Sequence, residues 1–165
     1  MLILGLDLAL SCGWCLLRED VVEQCGVHKI KAKDEGRVAE VKWLRECRRY
    51  EDWSAWLVAL RESGLIEGLG AIVYESPNLA TMRSLAHAES YGALRGVLQL
   101  ELGDVAPTHR LMPSQVKKRA AGNGRASKEE VREAVNAKFD LGLRADDHDT
   151  SDAVAIAWAY QQGLS

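Results

Sequence analysis

No segment of this 165-residue sequence approaches the roughly 18 uninterrupted apolar residues that a membrane-spanning helix needs. The apolar start MLILGLDLALSCGWCLL lacks the basic flank of a secretory signal and carries Asp7 at its centre, so neither export nor lipid attachment at LALSC is expected. Cysteine is sparse: Cys12, Cys15, Cys25 and Cys47 sit in a chain long enough to build a core without disulfide staples. That usage fits a reducing cytoplasm, which is the expected location. Internal repeats, low-complexity tracts and linkers are missing as well, so one compact domain over residues 1–165 is expected. The chain has no excess of basic charge either. Its net −3 argues against a general polyanion binder, while 47% hydrophobic and 27% charged residues are ordinary for a globular protein.

What is present reads as alternating strands and helices. LILGLDLAL, GWCLLR and VVEQCGVHKIK form three consecutive β-compatible runs joined by short turns, an antiparallel meander. From Gly36 to Ser63, Val38, Val41, Leu44, Trp53, Trp56, Leu57 and Leu60 recur at roughly helical spacing. LGAIVYES is a short buried strand of the parallel type, stopped by Pro77. A second helix over ATMRSLAHAESYGALRGVLQLEL carries a small-residue face of Ala86, Gly92, Ala93 and Gly96. A strand around Val105 to Leu111 follows, then a helix after Pro113. Another helix opens at Ser127, where Ser127 and Glu130 make a capping box, and LRADDHDTSDAVAIAWAY supplies the last. The order predicts an α/β fold with helices packed on the faces of one sheet, whose sites form at strand carboxyl ends and adjoining helix starts.

Acidic residues fall at such places. Asp7 interrupts the first apolar strand, where a buried carboxylate costs several kcal/mol unless it is neutralised or paired. Glu75 ends the fourth strand. Asp149 and Asp152, spaced i, i+3, share one face of the last helix's first turn. Taken singly, the helix acids could cap and favour the dipole, Asp7 could pair with an arginine, and Glu75 could lie at the surface. Together they look like hard-oxygen ligands for Mg²⁺ or Mn²⁺. His148 adjoins Asp149 outside the D-x-x-D register and is expected to be an exposed flank, with Asp146 and Asp147 as charges preceding the helix.

Two other clusters can be read. Between Arg110 and Arg132, seven bases face two acids, a local +5 on an acidic chain. This is a phosphate-binding footprint or a solvated helix face. Cys12-x-x-Cys15 with Cys25-x-x-His28 imitates a zinc spacing, but residues three apart on a strand point to opposite faces, so structural thiols are expected.

With these residues in view, the sequence resembles the RuvC-type Holliday-junction resolvases of the RNase H-like superfamily. ILGLDLALSCGW is similar to their opening hairpin and AIVYES to their glutamate-ending strand. PSQVKKRAAGNGRASKEEV is similar to their Q-V-K…G-x-G…K segment, and DTSDAVAIAWAY to their closing D-x-x-D-A-x-A-I-A helix. The resemblance runs from about Leu2 to Tyr160 and implies an RNase H-like fold with a mixed five-stranded sheet and helices on both faces. The short tail after the last helix is consistent with a compact, phage-type member.

The resemblance implies a homodimer that nicks two strands of a four-way DNA junction symmetrically, leaving 5′-phosphate and 3′-hydroxyl ends. Asp7, Glu75, Asp149 and Asp152 would hold two Mg²⁺ ions about 4 Å apart, with Mn²⁺ as a substitute. Lys128 would serve the scissile phosphate and Lys117 the DNA backbone, flanked by Lys118, Arg119 and Arg125. Where the family commonly places an aromatic wedge, this sequence has Asn78, expected to contact DNA, so junction opening either uses Leu79 or Met82 or is less developed. The dimer would form through the helix around Thr81 to Leu98. Two rivals are a branched-DNA nuclease of broader range and a noncatalytic DNA-structure-binding protein on the same fold. A third, an actin-like ATPase suggested by GLDLALS, lacks the second lobe a nucleotide cleft requires.

Overall fold

The structure is a computed structural model that describes residues 1–31, 42–77 and 84–163. Three antiparallel strands open the chain: β1 (Leu2–Asp7), β2 (Ser11–Arg18) and β3 (Val21–Lys29). Then come α1 (Lys42–Glu62), β4 (Leu69–Glu75), α2 (Leu85–Leu102) and β5 (Thr108–Leu111). Helices α3 (Pro113–Ala121), α4 (Lys128–Phe139) and α5 (His148–Gln162) complete it. The strands form one mixed sheet in the order β3-β2-β1-β4-β5, with β4 parallel to both β1 and β5. The anticipated five-stranded sheet with helices on both faces is therefore present. The predicted start of the first long helix, at Gly36, lies outside the described residues.

Strand alternation sorts the side chains into two cores. Leu2, Leu4 and Leu6 of β1, with Ile72 and Tyr74 of β4, face a layer made by α1 and α2 that includes Trp53, Leu57, Leu94 and Leu98. An aromatic stack closes this layer beside β3: the rings of Trp53 and Trp56 lie 5.1 Å apart, and His28 stacks 5.0 Å from Trp56. Ile3 of β1 and Ala71 and Val73 of β4 face the other way, against α3, α4 and the Ala153–Ala157 run of α5. Cys12 belongs to the first core and Cys15 to the second, so the two thiols lie on opposite faces of the sheet.

The same parity places the first two acids. Asp7 continues the Ile3–Gly5 side of β1, and Glu75 continues the Ala71–Val73 side of β4. Both therefore face α5, at the carboxyl ends of adjacent parallel strands that pair Leu6 with Tyr74.

Helix α5 lies unusually near the sheet because β1 and β2 offer it no side chains at two points. A Cβ on Gly5 would fall 2.5 Å from the Ala153 carbonyl oxygen and 2.8 Å from the Ala157 Cβ. On Gly13, a Cβ would fall 1.9 Å from the Asp149 carbonyl oxygen. Gly13 is also the cross-strand partner of Asp7, so one bare position joins the strand acid to the helix acid.

Candidate active site

Each acid reaches the site through a local feature of its element. The antiparallel partner Gly13 fixes Asp7 at the end of β1. Glu75 is pinned at the end of β4 from both sides: the backbone N–H of Ser76 donates to the Leu111 carbonyl at 2.7 Å, and the Tyr91 hydroxyl donates to the Glu75 carbonyl at 3.2 Å. Asp149 and Asp152 stand in the first turn and a half of α5, where the helix dipole favours negative charge. The Ser11 hydroxyl donates to Asp149 Oδ2 at 2.6 Å.

Lys128 is delivered by the capping box read from the sequence. The Glu130 N–H donates to Ser127 Oγ at 3.2 Å, and the Ser127 N–H donates to Glu130 Oε2 at 2.7 Å. This starts α4 at Lys128, whose ammonium lies 3.2 Å from Asp152 Oδ2. A cation in the first helical turn opposes the dipole; here the α5 carboxylate offsets that cost.

Protonation equilibria report how closely the groups are gathered. Asp7 is pushed up to about 7, first by burial and then by the charges of Asp152 and Asp149, with Lys128 working the other way. Glu75 is pushed up to about 7 by burial and by Asp7 and Asp152, against the pull of Lys117 and Lys128. Burial also raises Asp152, and its ion pair with Lys128 only partly offsets this. Burial opposes the charge on Lys128, but Asp152, Asp7 and Asp149 together hold its pKa above the ordinary lysine value. Four carboxylates and two lysines thus share one electrostatic neighbourhood.

The donor set suits a hard divalent cation: carboxylate oxygens, partly buried and short of neutralising charge. Among the described residues, no three acids, histidines or cysteines stand close enough together to enclose an ion as they are. Asp152 is turned onto Lys128 and Asp149 onto Ser11, so two of the four acids are engaged by protein partners.

The remaining anticipated residues are placed less uniformly. Lys117 is half-buried in α3 and its charge reaches Glu75, while Lys118 and Arg125 are exposed. Arg119 turns inward, and its guanidinium donates to the Ala159 carbonyl of α5 at 2.8 Å. His148, expected as an exposed flank, is half-buried as the first residue of α5, and its Nδ1 has no hydrogen-bond partner among the described residues. Asp146 is exposed, and Asp147 accepts a hydrogen bond from the Arg144 N–H at 2.8 Å. Asn78, Leu79 and Met82 lie outside the described residues. Sequence reasoning missed Ser11, Gly13 and Tyr91, whose contacts with the acids come from other elements.

Comparison with known proteins decides the family. The family model "Crossover junction endodeoxyribonuclease RuvC" matches residues 73–160, from the strand bearing Glu75 through the helix bearing Asp149 and Asp152. The RuvC of Thermomicrobium roseum is 32% identical over 165 residues, covering 98% of this chain and 93% of its own length. The chain belongs to the RuvC family. RuvC of Thermotoga petrophila is 34% identical over 80 residues, which is 48% of each chain, so the match spans about half the length of that relative. Among solved structures, Thermus thermophilus RuvC in complex with a Holliday junction substrate superimposes with a TM-score of 0.79 at 20% identity, covering 99% of this chain and 94% of that one. The yeast mitochondrial Holliday junction resolvase Ydc2 matches with a TM-score of 0.59 at 16% identity, covering 97% and 77%. The RuvC fold is RNase H-like, and membership of the family implies dependence on a divalent metal.

Proposed function

We propose that this RuvC-family chain is one nuclease domain, residues 1–165, that resolves four-way DNA junctions by paired, metal-dependent phosphodiester hydrolysis. The products are 5′-phosphate and 3′-hydroxyl ends, and the enzyme works in the cytoplasm. The observation that carries this reading is the gathering of Asp7, Glu75, Asp149 and Asp152 around Lys128 at the carboxyl end of two parallel strands. A relative of the same fold has been solved with a Holliday junction substrate.

Asp7, Glu75, Asp149 and Asp152 would hold Mg²⁺, two ions per site, with Mn²⁺ able to substitute. A cation held by these residues would supply an activated water and charge stabilisation for the departing 3′-oxygen. The chain's own residues do the rest. With no cation present, the carboxyls of Asp7 and Glu75 hold protons near neutral pH, because burial and mutual repulsion both favour the neutral form. Lys128 offsets part of the negative charge and would meet the scissile phosphate. Lys117, Lys118 and Arg125 offer cations to the DNA backbone, a salt-sensitive contribution that positions the duplex without reading its sequence. Arg119 acts by fastening α3 to the end of α5.

The second copy needed for paired cuts would dock on the outer face of α2. There Leu85 and Leu100 are 75% and 78% exposed, and Gly92 and Gly96 have open space where a Cβ would stand. Asn78, where related chains carry an aromatic wedge, favours one alternative, a nuclease that also accepts flaps and forks.

Cleavage of a four-way junction, a flap and a linear duplex in Mg²⁺ tests this reading, with Asp7→Asn as the control. Paired nicks confined to the junction and absent from the variant are expected. Equal cutting of the flap would broaden the enzyme to branched DNA, and tight junction binding without cleavage would make it a noncatalytic binder.

A further inference from the structure

The contact between Ser11 and Asp149 joins the second strand to the helix acid and bears on how that acid would meet a cation. Ser11 opens β2 and shares its α5-facing side with Gly13, two residues on. These two positions act on Asp149 in complementary ways. The missing side chain of Gly13 lets the Asp149 main chain settle against β2, since a Cβ there would lie 1.9 Å from its carbonyl oxygen and 2.6 Å from its carbonyl carbon. The Ser11 hydroxyl then takes Asp149 Oδ2 at 2.6 Å in a part-buried setting. A charge-assisted O–H···O⁻ bond of that length is among the strong ones. Among the described residues no group bonds the other carboxylate oxygen, Oδ1.

We propose that Ser11-x-Gly13 is a socket that fixes the rotamer of Asp149, with Ser11 a positioning residue that leaves Oδ1 to face the cation. This rests on the metal-site reading of the four acids. It makes Asp149 a one-oxygen ligand held from behind, in the way that outer-shell donors orient ligating carboxylates generally. Among the described residues the neighbouring acids have no such hydroxyl holder: Asp152 is engaged by the Lys128 ammonium, and Glu75 is bonded through its main-chain carbonyl.

The test is Mn²⁺ binding to the full chain, followed by calorimetry, for the wild type, Ser11→Ala, Ser11→Thr, Asp149→Asn and the Ser11→Ala/Asp149→Asn double variant. Ser11→Ala is expected to weaken Mn²⁺ binding by about 10- to 100-fold, with the circular dichroism spectrum unchanged. Ser11→Thr keeps the hydroxyl on a β-compatible side chain and is expected to restore most of the affinity. In the Asp149→Asn background, removing Ser11 is expected to cost little more. Wild-type affinity in Ser11→Ala, or a loss of the same size in both backgrounds, would overturn the socket while leaving the metal-site reading intact. A wild type that takes up no Mn²⁺ would overturn both.

Discussion

The two faces of the sheet are built to different tolerances. Against α1 and α2 the sheet presents Leu2, Leu4, Leu6 and Tyr74, and the helices answer with Leu57, Leu94, Leu98 and a stack of tryptophans. Against α5 it presents Gly5 and Gly13, met by Ala153, Ala157 and the bare carbonyl of Asp149. Large side chains hold the first layer at arm's length and make stability. Missing side chains bring the second layer in until two helix acids share a neighbourhood with two strand acids. The smaller-residue core is the one that carries the proposed site, and its closeness sets the electrostatics of the four acids.

Gly13→Ala is the substitution expected to break this contrast most severely. Its methyl group has no space short of moving α5, so a loss of about 3 kcal/mol or more is expected, together with loss of Mn²⁺ binding even in the fraction that folds. Chemical denaturation and metal titration check the two halves. Leu57→Ala on the opposite face should cost about 2–5 kcal/mol through the cavity it leaves, while Mn²⁺ affinity of the folded protein stays at the wild-type value. If Leu57→Ala weakened metal binding as much as Gly13→Ala, the separation of roles between the faces would be wrong.

Lys128→Ala sharpens the comparison within the site. If Lys128 serves the scissile phosphate as proposed, its removal is expected to slow junction cleavage by about a hundredfold or more, in the range seen when one charge-stabilising donor is lost. Junction binding should fall much less, since Lys117, Lys118 and Arg125 remain. Single-turnover cleavage alongside gel-shift titration separates the two effects.

A smaller effect concerns pH. The folded pKa of Asp7, about 7, lies above its ordinary value of 3.8. The stability linked to this group is therefore fully present below pH 3.8 and is lost as pH rises through about 7. In metal-free solution Asp7→Asn should therefore melt above the wild type at pH 8, and the gap should narrow at pH 5, where the wild-type carboxyl is protonated. Melting curves at the two pH values give the sign; a variant less stable than wild type at pH 8 would contradict it.

The parts of the site legible in the sequence are those that break a local rule. Asp7 sits in an apolar strand, Glu75 ends a buried one, and Lys128 lies where a helix start disfavours cations, so each stands out against its neighbours. The Ser127–Glu130 box was readable because both partners lie within one turn. Ser11, Gly13 and Tyr91 were not, since their meaning depends on which helix lands on which strand, a long-range choice that no short window contains. Charge pattern grouped Arg119 with Lys118 and Arg125 as a phosphate contact; the bond from its guanidinium to the Ala159 carbonyl was not legible in that pattern. Among alternating strands and helices, fold class is local information; the use of one arginine is not.

The most direct test of the central claim, that four carboxylates form one crowded site which a cation relieves, is the proton balance of metal binding. Mn²⁺ titrated into the wild type by calorimetry at pH 6.5, in buffers of differing ionisation enthalpy, should release roughly one to two protons, because Asp7 and Glu75 hold protons there that a bound metal would displace. The release should fade at pH 8.5. Binding heats that do not depend on the buffer at pH 6.5 would show carboxylates already ionised and apart, and would contradict the account.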